Sequence, residues 1–228
     1  MKTVRFFFVS LFIVLILVSA NALYAQTYKG EFGIEGGVGI RSLRIDPKDS
    51  STKTGIGFMG GIAGQLNLSP TFSLRLGVGY ERKGADLETK IGTTTVKGKA
   101  NIDYVAIPLL LRANFGNGKK IKFFLNAGPY VGILLANKIK TDAYGTIPES
   151  EFDNKDSTKK IDFGISGGIG INFLVGTSSS FTIGARDNFG LTNINDEKTA
   201  GASEIKTNSA QLILGFAWKF GKNYTTRK

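Results

Sequence analysis

Apolar and polar residues alternate along most of the chain beyond about residue 30. The clearest example lies between Ile102 and Leu135, where two long apolar runs flank the polar stretch Gly116-Asn-Gly-Lys-Lys120. A short glycine-containing turn between two such runs is typical of an antiparallel hairpin. Each run also reaches the roughly 9–11 residues that a tilted β-strand needs to cross a bilayer. The alternation therefore predicts β-strands that span a membrane.

The same period of two predicts eight strands along the chain. They begin near the following residues: Phe32, Gly55, Phe72, Asn101, Ile121, Ile161, Phe181 and Ala210. The connections alternate long and short, and the predicted long ones include Leu43–Thr54 and Arg82–Gly98. Outer-membrane barrels have an even strand number, short periplasmic turns and long outer loops. We therefore expect an all-β, eight-stranded antiparallel up-and-down transmembrane barrel with both termini in the periplasm.

The two faces of these strands differ in composition. One face repeats Phe, Ile and Leu, whereas the other carries Gly, Ser and a few charges. Eight strands enclose little volume, so small residues and paired charges fit inside, whereas a soluble lipocalin-like barrel would turn its apolar face inward. We expect ion pairs, rather than a pore or a catalytic cluster, among the inward-facing charged residues: Glu35, Arg41, Arg75, Glu81, Lys122, Asp162 and Arg186.

The fourth predicted strand is irregular, because Asp103 falls on the apolar face and Arg112 on the other. A β-bulge near Pro108 would exchange the faces at that point. The residues facing lipid would then be Ile102, Tyr104 and Ala106 before the bulge, and Leu109 and Leu111 after it. Pro108 and Pro129 also fall at nearly one height, and neither has an N–H to donate. We expect a local distortion there, interpreted as a fixed bend or, alternatively, as a gate.

The first 25 residues have the features of a signal peptide. Lys2 and Arg5 precede the apolar run Phe6–Val18, and small residues follow. Cleavage after Ala22 or Ala25 fits this pattern, and the apolar run is shorter than the roughly 20 residues of a membrane-spanning helix. We expect a signal peptide over 1–25, a barrel domain over 26–228, and a Gram-negative envelope location.

The amino-acid composition restricts the catalytic and metal-binding chemistry that the chain can perform. The 228 residues include no Cys and no His, which removes disulfides, thiolate metal sites and histidine-dependent catalysis. We expect no enzymatic activity and no cofactor. Glu151, Asp153 and Asp156 offer oxygen ligands for calcium, but without EF-hand spacing they are expected to be solvated.

The net charge of +11 is unevenly distributed. On the predicted topology Glu31 is the only acid at the periplasmic end, which holds nine basic residues: Lys29, Arg112, Lys119, Lys120, Lys122, Lys219, Lys222, Arg227 and Lys228. Such an end attracts anionic headgroups or an acidic partner, unless the lysines are merely solvated. No aromatic-basic surface for nucleic acid is expected.

Four segments resemble the PorT-like outer-membrane β-barrel family. They are Tyr104–Arg112, Asn126–Gly132, Asp162–Gly170 and Arg186–Asn193. The resemblance implies an outer-membrane barrel that supports secretion or envelope assembly. It implies little about activity, because one scaffold serves several uses.

The last predicted strand resembles the terminal signal that the outer-membrane assembly machinery reads. Gly215 is followed at fixed offsets by Trp218 and Phe220, although both aromatics also suit an interfacial girdle. Lipid and the assembly machinery are thus expected partners, together with a periplasmic or secretion partner. The leading functional hypothesis is a structural or accessory protein, and the alternatives are a small pore or uptake protein and surface adhesion through the long loops.

Overall fold

A computed structural model describes residues 29–46, 51–91, 94–116, 120–143, 148–176, 178–196 and 203–221. The predicted signal peptide, residues 1–25, lies outside these ranges. Within them, the structure contains no helix with the length and hydrophobicity needed to cross a membrane.

Ten β-strands make up the described chain. Eight are long: β1 (Gly30–Asp46), β3 (Gly55–Asn67), β4 (Phe72–Ile91), β5 (Thr94–Phe115), β6 (Ile121–Thr141), β8 (Ile161–Val175), β9 (Ser179–Gly190) and β10 (Glu204–Phe220). Two are short: β2 (Thr52–Lys53) and β7 (Ser150–Asp153).

The eight long strands close into a ring. Each pairs antiparallel with the next long strand along the chain, from β1–β3 to β9–β10. The seam joins β1 to β10, with a register that runs from Gly30 opposite Phe220 to Asp46 opposite Glu204. The short strands add to β4 and β6. The predicted eight-stranded up-and-down barrel is therefore confirmed.

The burial pattern is the inverse of that in a soluble protein. Large apolar side chains such as Ile56 and Leu212 are 79% and 68% exposed, whereas Glu81 and Asp162 are only 2% and 0% exposed. Successive residues of a strand point to opposite faces, so one apolar face lies outside and one polar face inside. The outer face is the one that suits acyl chains.

The two ends of the barrel differ. Three connections are short, at residues 68–71, 116–120 and 176–178, and they share what we call the short-turn end with Gly30 and Phe220. In the first of them the Ser69 hydroxyl accepts a hydrogen bond from the Phe72 amide at 2.8 Å. The remaining connections lie at the opposite end, here named the long-loop end.

The prediction of a loop over Arg82–Gly98 is wrong. β4 continues to Ile91 and β5 begins at Thr94, so this connection is a long hairpin. Likewise, β1 extends to Asp46, into the loop predicted from Leu43. Outward-facing residues in these extensions are mostly polar, so the apolar-polar alternation fades although the strand goes on.

The predicted bulge near Pro108 is also wrong. The β4–β5 register is the same on both sides of Pro108, and the shift lies between Asp103 and Tyr104 where β5 meets β6. Asp103 faces outward and accepts two hydrogen bonds from Arg82, at 2.7 and 2.9 Å. Arg82 neutralises this outward-facing carboxylate, so β5 does not need to exchange its inner and outer faces. The residues predicted to face lipid instead point inward: Ile102, Tyr104 and Ala106.

The expected interruption at the two prolines is present. Residue pairing between β5 and β6 stops after Pro108 opposite Tyr130 and resumes at Leu111 opposite Ala127. Pro129 lies within this gap. Proline has no amide hydrogen to donate, so the ladder is interrupted at this height.

Candidate functional site

Inward-facing side chains of neighbouring strands meet in the lumen, which is the candidate functional region. Nearest the short-turn end, Glu35 of β1 binds two arginines. Its Oε2 lies 2.6 Å from Arg75 Nη2, and its Oε1 lies 2.8 Å from Arg186 Nη2. Each carboxylate oxygen thus has a charged donor, and β1, β4 and β9 are connected across the interior.

A second cluster surrounds Lys83 of β4, which is fully buried. Its Nζ lies 3.0 Å from Asp162 Oδ2 and 2.8 Å from Tyr130 Oη. Thr207 also donates to Asp162 Oδ2, at 2.7 Å. The ammonium lies 4.1 Å from the centroid of the Tyr130 ring, close enough for a cation–π contact. Four strands therefore meet at one buried ion pair.

Sequence reasoning missed Lys83, because the predicted loop began at Arg82. A signal was nevertheless present. Arg75, Glu81 and Lys83 share parity, so continuing the alternation two residues further places Lys83 in the lumen.

Glu81 lies between these two clusters and accepts hydrogen bonds from neutral donors. Asn188 Nδ2 donates to both carboxylate oxygens at 3.0 Å, and Gln211 Nε2 donates to Oε1 at 2.9 Å. The Ser209 hydroxyl donates to Oε1 as well. A buried carboxylate with several donors is stabilised by these hydrogen bonds, and Glu81 also interacts electrostatically with Lys83.

Arg41 connects neighbouring strands near the long-loop end of the lumen. Its Nη1 donates to the carbonyl oxygens of Lys83 at 2.8 Å and Ala100 at 2.9 Å, and its Nη2 lies 3.3 Å from Asp86 Oδ1. Asp86, like Lys83, falls in the segment that was predicted to be a loop. Arg41 thus connects β1 to β4 and β5.

Lys122 differs from the other predicted lumen residues. It is half-buried near Lys219 at the short-turn end, and it takes part in none of the ion pairs found in the described part of the chain. The structure thus brings six of the seven candidates into hydrogen-bonded networks and leaves Lys122 at the rim.

The residues of the predicted assembly signal lie on both faces of β10. Gly215 lies beside Glu35 and Thr182 on the lumen side. Trp218 and Phe220 point outward and are about half exposed, and the Trp218 ring packs edge-on against Phe216 at 5.0 Å.

An apolar cluster closes the lumen towards the long-loop end. It consists of Ile102, Tyr104, Leu134 and Ile194. Ile194 comes from the connection after β9, which folds inward and leaves this side chain 2% exposed. This loop therefore contributes to the filling of the barrel.

Two small cavities lie between lumen side chains of the described residues. One cavity, beside Glu35, Arg112 and Asn126, has a volume of about 20 Å³, and another, beside Glu81 and Pro108, about 10 Å³. A water molecule needs about 10–15 Å³ by this kind of measure. Each cavity therefore has room for about one water molecule, and neither is wide enough for a hydrated solute.

Glu151, one of the acids considered as a calcium ligand, is paired with lysines instead. The Glu151 carboxylate on β7 lies 2.6 Å from Lys138 Nζ and 2.7 Å from Lys140 Nζ. These hydrogen bonds lower the pKa of Glu151 to about 2. Among the described residues, no group of three or more Asp and Glu side chains is placed to hold a metal ion.

Known structures with a similar chain trace include a bacterial surface protein and an outer membrane protein. Neisserial surface protein A is 18% identical with a TM-score of 0.46, and the match covers 84% of this chain and 100% of that one. OprG from Pseudomonas aeruginosa is 17% identical with a TM-score of 0.48 over 86% of this chain and 99% of that one. Ail of Yersinia pestis is 14% identical with a TM-score of 0.39 over 84% and 99%. At these values the likeness concerns the fold at most.

A comparison with curated protein sequences finds no match. A family model does match, and its description is outer membrane protein beta-barrel domain. The match covers residues 24–196, which include β1 to β9 of the closed sheet. It agrees with the apolar outer face and the polar lumen. The chain therefore belongs to the outer membrane protein beta-barrel domain family.

Proposed function

We propose that this chain is a non-enzymatic outer-membrane barrel that acts through its two ends, as a structural or accessory component of the envelope or of a secretion apparatus. The filled lumen carries the proposal. Because ion pairs and an apolar cluster occupy the interior, function falls to the surfaces. The resemblance to PorT-like barrels supports the accessory role.

The proposed orientation places the short-turn end in the periplasm, as in other outer-membrane barrels. Four described lysines lie at or near this end: Lys29, Lys120, Lys122 and Lys219. Such a basic rim favours anionic headgroups or an acidic periplasmic partner. Gly215, Trp218 and Phe220 are proposed as the signal read by the assembly machinery, supported by the outward position of both aromatics.

Surface adhesion is a second candidate, favoured by the long-loop end. The β4–β5 hairpin is the longest in the described chain, with strands of 20 and 22 residues. β2 adds to it, and β7 adds to the neighbouring β6. These strands offer an ordered surface outside the membrane to an external ligand.

Photo-cross-linking in living cells distinguishes the two roles. A photoreactive residue replaces Lys120 at the short-turn end or Lys97 on the extended hairpin, both of which are exposed. The accessory role predicts discrete protein adducts from position 120. The control is position 212, on the outer wall. Adducts from position 97 alone would favour adhesion, and no adduct from either position would contradict action through the ends.

Planar-bilayer recording tests the remaining alternative, a small pore or uptake protein. The refolded barrel is expected to give no discrete conductance steps, because ion pairs occupy the lumen and the two cavities described between its side chains hold about one water molecule each. Stable open channels in the purified protein would contradict the proposal.

A further inference from the structure

The half of the lumen nearest the short-turn end holds an excess of positive charge. Three guanidinium groups meet there, and Arg75 and Arg186 share the carboxylate of Glu35. The third, Arg112, interacts electrostatically with Glu31 and Glu35, but it forms none of the ion pairs found among the described residues. Lys122 and Lys219 lie at the same end, so cations outnumber the two carboxylates there.

Arg112 is 2% exposed and keeps an unused donor. The Phe124 ring covers one face of its guanidinium at 3.9 Å, which leaves the N–H groups at the edge. Arg112 Nε has no hydrogen-bond partner, and neither does Arg186 Nε. Leaving a charged donor buried without an acceptor is costly. These two donors belong to residues that line one cavity.

This cavity has a volume of about 20 Å³, and its lining includes Arg75, Arg112, Arg186, Asn126 and the carboxylate of Glu35. Gly215 contributes no side chain to fill it. The Asn126 amide also has an unpaired Oδ1, and a half-turn of this amide would present its NH₂ group instead. The cavity exceeds the roughly 10–15 Å³ that one water molecule needs, so it has room for a single small occupant.

We propose that this cavity is a binding site for a single small inorganic anion of the halide class, with chloride as the physiological ligand. A negative charge offsets part of this cationic excess, and the volume of about 20 Å³ excludes polyatomic anions such as phosphate. A chloride ion accepts hydrogen bonds from several directions, so it satisfies both Nε–H groups at once. The bound ion adds to the neutralisation of the three guanidinium groups, which Glu35 provides only in part.

Bromide provides a direct test on the unaltered protein. Crystals of the refolded barrel are grown in bromide, and anomalous scattering is measured. The expected result is a peak in the lumen within hydrogen-bonding distance of Arg112 Nε and Arg186 Nε. Water in the cavity without an anomalous peak would overturn the proposal.

Thermal unfolding in a nonionic detergent supplies the second test. Chloride replaces gluconate at constant ionic strength, from near zero to about 200 mM. For a low-millimolar dissociation constant, ligand linkage predicts an upward shift of the unfolding temperature of roughly 5 °C. Arg112→Gln is expected to abolish the shift, whereas Lys120→Gln, an exposed cation at the same end, is expected to retain it. Equal shifts in all three proteins would contradict the site.

Discussion

Lys83 shows how strongly a single residue can depend on its partners. It is fully buried, and its ammonium is held by Asp162 and Tyr130 at 3.0 and 2.8 Å. The cost of dehydrating both charges is balanced only while both are present. Removing one of them leaves the other as an uncompensated charge.

Lys83→Met is therefore expected to lower the free energy of unfolding by about 3–5 kcal/mol. Adding Asp162→Asn should recover part of this loss, so the double variant should be about 1–3 kcal/mol more stable than the sum of the single effects. Urea unfolding in lipid vesicles measures each value. Lys138→Gln, which breaks an exposed pair, serves as the control and should cost less than about 1 kcal/mol. A similar cost for Lys83→Met and Lys138→Gln would contradict the account.

Single residues were predictable where the alternation was strong. Glu35, Arg75 and Arg186 lie in strands with a clear apolar face, and the structure joins them. Lys83 and Asp86 were missed because the outward residues of β4 become polar beyond Arg82. The position of Asp103 is not predictable from its own strand, because its partner Arg82 lies on the neighbouring strand.

Glycines on the inner face set how closely neighbouring strands approach. A Cβ added to Gly39 of β1 would overlap the carbonyl oxygen of Ala210 and lie 2.6 Å from the Cα of Gln211, both on β10. These contacts involve backbone atoms, which cannot simply rotate away. On the outer face, a Cβ added to Gly64 meets nothing within 4 Å.

The matched pair Gly39→Ala and Gly64→Ala tests this difference. Gly39→Ala is expected to cost about 1–3 kcal/mol through overpacking at the seam. Gly64→Ala should be neutral or stabilise by up to about 1 kcal/mol, because alanine restricts the unfolded chain. The measurement is the urea midpoint in vesicles. Equal midpoints for the two variants would show that the β1–β10 contact is not close.

At the level of whole strands, the existence and order of the eight long elements followed from the pattern, but their lengths did not. Strand starts at Gly55, Phe72, Ile121 and Ile161 match the prediction, because apolar alternation begins there. Strand ends at the long-loop end were placed too early. Hydrogen bonds between strands continue where outward side chains meet water, and no apolar signal marks that continuation.

The molecule as a whole has an apolar outer wall bounded by polar residues. On β10 the outward series runs from Ala210 through Leu214 to Phe220. On the far side, Arg82 and Asp103 form an outward ion pair that suits an aqueous boundary. The outer wall therefore consists of a central apolar band with a margin at each end of the barrel.

Arginine substitutions on the outer wall measure how deep a residue lies in the bilayer. Leu214→Arg is expected to cost about 2–4 kcal/mol, because the charge would lie near the bilayer midplane. Phe220→Arg, at the margin, should lose only about 0–1 kcal/mol from the charge itself. Equilibrium unfolding from lipid vesicles compares the two proteins. A larger cost at position 220 would mean that the apolar wall is centred elsewhere.

The seam between β1 and β10 constrains the order of events during synthesis. Gly30 pairs with Phe220 and Asp46 with Glu204, so the ring cannot close until β10 has left the ribosome. An open sheet would carry unpaired amide and carbonyl groups that hydrocarbon cannot solvate. Pairing at this seam must therefore be a late step of folding, because all eight long strands have to be available before the ring closes.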